Sequence, residues 1–248
     1  NVVKKSGANL IVFPELFLFQ RDWVQVNTEE AAKISRKALN EFSTACAASK
    51  VIVALSLVEK IAKKFHSTLY LLGDDGKVIE KYSKTHLSPL EKEWATQGNS
   101  LAVAHTRYGE IGLMLGSEID FPEVARELSL LGSDSIMLPC DWNYDHEYDW
   151  LVKTRTVENH VCIVAANRVD SRANRGSVIT PIVSPFASFK ENKSVNQIFT
   201  RLMEHAVVGE LVAPSMDLLS ARDKLVTYKT NIIFDRRYEY YKPLVARR

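Results

Sequence analysis

Cysteine is scarce: three residues, Cys46, Cys140 and Cys162, are scattered through 248 positions. Their odd number and wide spacing leave no disulfide framework to expect and no paired metal-ligand spacing, and they argue for reduced thiols in a cytoplasmic setting. Long apolar runs are absent as well. The longest, at 51–58 and 161–166, fall far short of the roughly 20 residues that cross a bilayer as a helix. Neither sign of charge is in excess, with 32 basic against 30 acidic side chains and a net charge of +2. No strong field invites nucleic acid or an anionic membrane, so a polyanion is not the implied partner. The six histidines lie without ligand spacing and no Gly-rich phosphate loop occurs. Neither a metal nor a cofactor is therefore expected. Internal repeats and low-complexity segments are missing too.

What is present is the composition of an ordinary globular protein, 46% hydrophobic and 25% charged, long enough to bury a sizeable core. One compact α/β domain over 1–248 is the economical reading, with the basic, aromatic residues 236–248 as a C-terminal tail. Short β-branched runs at 9–14 and 51–58 read as buried strands. Between them, 28–49 places Ile34, Ala38, Phe42 and Ala45 at helical spacing, with Asn27 or Thr28 able to cap the start. Residues 68–72 and 77–82 form a hairpin, because Asp75-Gly76 supplies the positive backbone angles of a tight reversal. Strands follow at 101–105 and 111–115. Pro122 opens a helix with Val124, Leu128 and Leu131 on one face. A strand at 135–139, a helix at 148–160 and a strand at 161–166 continue the alternation, which implies layers with helices outside. Residues 188–206 pattern poorly, with 190–194 a solvated loop, and 209–212 reads as a further strand.

Four separated segments carry chemistry. Leu10-Ile-Val-Phe-Pro-Glu15 is a strand ending in a glutamate. Lys81-Tyr-Ser-Lys84-Thr-His-Leu87 is a strand delivering a lysine. Gly112-Leu-Met-Leu-Gly-Ser-Glu-Ile-Asp-Phe-Pro-Glu123 is a strand, a turn and the start of a helix. Arg155-Thr-Val-Glu-Asn-His-Val-Cys-Ile-Val-Ala-Ala-Asn-Arg168 is a helix and a strand, followed by Gly176-Ser177 and Asp235-Arg-Arg-Tyr-Glu-Tyr-Tyr241. Alone, a glutamate after Phe-Pro or a lysine after a strand is an ordinary loop residue. In this order the four resemble the nitrilase, or carbon–nitrogen hydrolase, superfamily over nearly the whole chain.

The resemblance implies a two-sheet αββα sandwich whose first strand is missing here, because residues 1–7 resemble the end of the first helix. It also implies hydrolysis of a small amide, carbamoyl compound or nitrile, and a homodimer or higher oligomer joined through outer helices and C-terminal tails. Such chemistry needs a nucleophile, a base and a positive group where negative charge develops. By resemblance Glu15 is the base, Lys84 the oxyanion stabiliser and the Ser117 backbone N–H a second oxyanion donor. A further glutamate that orients the lysine is Glu91, counted back from Gly98, or else Glu93.

The nucleophile itself is missing. Phe121-Pro122-Glu123 and Glu118 fix the register, and Gly116 then stands where the family carries its cysteine. Sliding by one to recruit Ser117 breaks both anchors. In a hydrolase of another family, losing the nucleophile costs on the order of a million-fold in rate, or about 8 kcal/mol. The expectation is therefore an inactive or strongly impaired relative, or a non-catalytic small-molecule-binding or regulatory subunit on the same fold. Glu15 activating a water in the vacated space is a slower alternative. The pocket would have extra room at Gly116 and be bordered by Asp141, Trp142 and Asn143. Cys140 stands either in that cleft, with a thiol activated by Lys84, or as a small residue packed behind its floor. Cys46 and Cys162 read as core.

Overall fold

The computed structural model describes residues 7–20, 22–172, 176–180, 218–227 and 230–245. The expectations for 1–6, 188–206, 209–212 and the end of the tail lie outside these residues. The aliphatic runs become strands that sort into two sheets. The first has the order β1 (Leu10–Val12), β2 (Ile52–Ile61), β3 (Lys64–Leu72), β4 (Val78–Ser83). Its β1–β2 pair is parallel and the others antiparallel. The second runs β5 (Ala102–Thr106), β6 (Gly109–Leu113), β7 (Ser135–Cys140), β8 (Cys162–Asn167), β9 (Val178–Thr180). Here β6, β7 and β8 are parallel, with an antiparallel strand at each side.

Period-two alternation gives each sheet two apolar faces. Ala54, Leu69, Leu71 and Tyr82 of the first sheet meet Ile111, Leu113 and Met137 of the second, forming the layer between sheets. The opposite face of the first sheet, with Val53, Leu55 and Leu57, packs on Leu39, Phe42 and Cys46 of a long helix. That helix is α2 (Thr28–Ser49), preceded by the single turn α1 (Trp23–Val26). Ile136 and Leu138 lie beneath Val124 and Leu128 of α3 (Pro122–Leu130) and Val152 of α4 (Val152–Asn159). The result is the expected αββα sandwich. No described helix is long and apolar enough to cross a membrane.

Local departures have local causes. Neither Asn27 nor Thr28 caps α2: Asn27 Nδ2 donates to Trp23 O at 3.0 Å and Thr28 Oγ1 to Val24 O at 2.9 Å. The preceding turn leaves unsatisfied carbonyls, and these side chains answer them first. The buried stripe of α2 runs through Ala31, Ser35, Ala38 and Cys46, while Ile34 and Ala45 face outward. In the hairpin only Gly76 has positive φ, at 81°. A Cβ there would collide with the carbonyl oxygen of Ser43, because the turn packs directly on α2. Leu131 ends α3 at 52% exposure rather than in the core. The helix expected at 148–160 begins as a wide i→i+5 turn (Glu147–Leu151) and becomes α-helical only at Val152.

Candidate active site

Three chain segments leave the sheets at one end and converge. Past β1, Phe13 N–H donates to Ala54 O at 2.9 Å, and Glu15 N–H donates to Cys140 O at 3.2 Å. The chain thus steps from the first sheet to the second within two residues. Leu16 then adopts positive φ, 45°, a strained angle held by Arg168. The Arg168 guanidinium donates to the carbonyls of Glu15 (3.3 Å), Leu16 (3.0 Å) and Phe19 (2.9 Å), and also grips Asp170 with two bonds of 2.8 Å.

Past β4, Lys84 N–H donates to Ser67 O and Gly98 N–H to Lys84 O, continuing the ladder by one residue. A side chain at Gly98 would collide with Ser83 O, so glycine is required at that crossing. The ladder fixes the direction of the Lys84 side chain. Its Nζ donates to Glu15 Oε1 at 2.9 Å and to both Glu91 oxygens at 2.8 Å. Glu91 is fixed in turn by Ser88 N–H at 2.8 Å. The alternative, Glu93, is exposed and outside the cluster.

Past β6, Gly116 opens a tight turn (Gly116–Asp120) with φ at 46°. Glu118 in this turn is fully buried and accepts five hydrogen bonds. They come from Thr85 N–H, His86 N–H, Thr85 Oγ1, Tyr82 OH and Leu115 N–H. This carboxylate therefore ties the residues after Lys84 to the turn that carries Gly116. Arg155 Nε, donating to Ile119 O at 3.2 Å, anchors the turn from α4.

The expected extra room at Gly116 is not there. A Cβ built on Gly116 would overlap Glu15 Oε2 and lie 2.9 Å from Glu15 Cδ. The absence of a side chain has let the carboxylate settle against the backbone.

Electrostatics separates the buried groups. Burial raises the Glu15 carboxyl to about 7, with Lys84 opposing the shift and Glu91 adding to it. For Lys84, burial opposes the charge, but the carboxylates of Glu15, Glu91 and Glu118 outweigh it and hold its pKa above the ordinary lysine value. One lysine between two carboxylates carries net charge −1, and Glu15 is where a proton relieves it.

An open cleft of about 120 Å³ lies over the cluster, with Glu15, Lys84, Glu91, Ser117, Asp141 and Asn143 in its wall together with Trp94, Arg168 and Arg172. That volume suits a small ligand, since drug-sized sites span roughly 300–1,000 Å³. Trp142 and Cys140 are not in the wall. Both are fully buried in the layer beneath α3 and α4, because Cys140 shares the β7 face of Ile136 and Leu138 while Asp141 turns the other way. The Cys140 thiol donates to Leu138 O, and burial pushes its pKa well up, with Glu15, Glu147 and Asp141 adding to the rise. The activated-thiol reading is thereby corrected.

Sequence reasoning missed three supports. Glu147 accepts the Asn143 and Tyr144 N–H groups at 2.6 and 2.7 Å and so shapes the wall segment; a carboxylate entering a helix is the available signal. Glu118 entered only as an alignment anchor, and the clamp made by Arg168 had no local signal.

The chain resembles known proteins throughout this region. The family described as carbon-nitrogen hydrolase matches residues 1–195. A probable nitrilase of Schizosaccharomyces pombe is 30% identical over 171 residues, covering 66% of this chain and 62% of that protein. The chain thus spans about three-fifths of that relative's length. The solved carbon-nitrogen hydrolase from Helicobacter pylori G27 superposes with a TM-score of 0.80 at 20% identity, over 99% of this chain and 89% of its own. A mutant of the amidase from Nesterenkonia sp. AN1 in complex with butyramide gives 0.65 at 22% identity, over 72% and 75%.

Proposed function

Since the chain belongs to the carbon–nitrogen hydrolase family, we propose that its cleft binds a small amide, carbamoyl compound or nitrile and that covalent turnover is lost because Gly116 stands at the nucleophile position. The observation carrying this reading is the Glu15–Lys84–Glu91 cluster assembled directly over a residue with no side chain. In this reading Glu15 is the base, Glu91 orients Lys84, and Lys84 with the Ser117 N–H receives a developing oxyanion. With no sulfur at position 116, the bond that would form the acyl-enzyme has no donor atom. Glycine has no ionisable group to tune in compensation. The butyramide held by the Nesterenkonia amidase mutant supports the ligand's size and type.

A non-catalytic binding or regulatory subunit is the second reading, favoured by Glu15 occupying the space of a Cβ. The reading also includes a single domain, a cytoplasmic protein with three reduced cysteines, all free and buried, and a homodimer or higher oligomer joined through the outer helices, which expose Leu131 and Val157, and the C-terminal tails.

Ammonia release from a panel of small amides, carbamoyl compounds and nitriles tests the proposal, with this chain and Gly116→Cys side by side. The expected outcome is no release above background here and release from the cysteine form. Turnover in both would sink the proposal, and silence in both favours the non-catalytic subunit.

A further inference from the structure

In the ligand-free cluster Lys84 has no donor left over. An ammonium group carries three protons, and those of Lys84 go to Glu15 Oε1 and the two Glu91 oxygens. The Arg168 guanidinium is likewise committed, to Asp170 and to three backbone carbonyls. At the deep end, by contrast, one acceptor is left over. Glu15 is 8% exposed, and among the described residues its Oε2 accepts no hydrogen bond although it forms part of the cleft wall beside Gly116. Glu91 stands in the same wall. A carboxylate oxygen with little access to water and no protein donor is left to a ligand or a proton, and the group that best serves it brings both protons and positive charge.

We propose that the deep end of this cleft selects a ligand headed by a primary ammonium group over one headed by a neutral amide or a carboxylate. The inference rests on the reading of the Glu15–Lys84–Glu91 cleft as a ligand site and adds a charge preference among the small ligands that enter it. A ligand ammonium donates to Glu15 Oε2 and neutralises the net −1 of the cluster. An amide donates without neutralising, and a carboxylate adds a third negative group to one lysine. Trp94 in the wall offers an aromatic surface of the kind that favours cations. The raised Glu15 carboxyl agrees with this geometry, because a proton already occupies part of the role assigned to the ligand.

Calorimetric titration of the full chain with butylamine, butyramide and sodium butyrate compares three heads on one tail. Butylamine is expected to bind about tenfold or more tighter than butyramide, with butyrate weakest. Near pH 7, butylamine binding should release protons, read as a heat that varies with the buffer, while butyramide binding should not. Affinity for butylamine should fall toward pH 6, where Glu15 holds its proton. Glu15→Gln, checked for folding by circular dichroism, should lose the preference for the amine; the pH series on the unaltered protein stands independently of that variant. Butyramide or butyrate binding as tightly as butylamine overturns this inference alone. No binding by any of the three overturns it together with the ligand-site reading.

Discussion

Glu15 and Glu118 are the same residue type, both buried and both beside Gly116, yet their surroundings push them in opposite directions. Glu118 receives five hydrogen bonds from two chain segments. Burial alone would raise its pKa, but His86, Lys84, Tyr82 and the Leu115 N–H outweigh it and hold the group below the usual carboxylate range. Among the described residues Glu15 receives one bond, from a lysine it shares with Glu91, and burial prevails. Depth therefore does not decide which of two buried carboxylates binds a proton more readily. The number of donors arranged around each does.

Removing the well-served carboxylate should cost most. Glu118→Ala strands three backbone N–H groups and two hydroxyls, and a loss of about 4 kcal/mol in urea unfolding is expected. A loss below about 1 kcal/mol would mean the five bonds are not holding the two segments together.

Gly116→Ala should rank next, at about 2 kcal/mol, from the left-handed backbone angle and the overlap with Glu15. Combining it with Glu15→Ala should cost less than the sum of the single changes, because the second removes the obstacle to the first. Strict additivity in thermal or urea unfolding would show that Glu15 is not what a side chain at 116 meets.

The smallest effect sharpens the contrast through pH. Glu15 moves from 4.5 to about 7 on folding, so across that window the folded chain holds a proton that the unfolded chain releases. Its contribution to stability is greatest below 4.5 and is lost as pH rises through about 7. Stability relative to Glu15→Gln should therefore decline across the window and level off above it. A flat difference would place Glu15 with Glu118, ionised throughout.

Much of this was legible in the residues. Aliphatic runs located the strands, and the family resemblance, not any local pattern, singled out Glu15, Lys84 and Glu91, which meet in space. The outward turn of Asp141 and the inward turn of Cys140 were also readable, since Cys140 shares its parity with Ile136 and Leu138; proximity to the cleft obscured that alternation. The capping at Asn27 and Thr28 failed because the preceding turn competes for the same polar atoms. The filling of the Gly116 space was out of reach. It depends on the side-chain angles of a residue about a hundred positions earlier, which no local pattern encodes.

The grip of Arg168 on the loop after β1 has a consequence in time as well as in space. The bond from Arg168 to Glu15 O joins residues 153 positions apart, so the backbone that presents Glu15 is not held on its final path until Arg168 has been made. Closing so large a loop is entropically slow and precedes any reward from the contact. The first acid of the cleft to leave the ribosome is thus among the last to be set, and until β8 docks, its carboxylate remains in water with an ordinary affinity for protons.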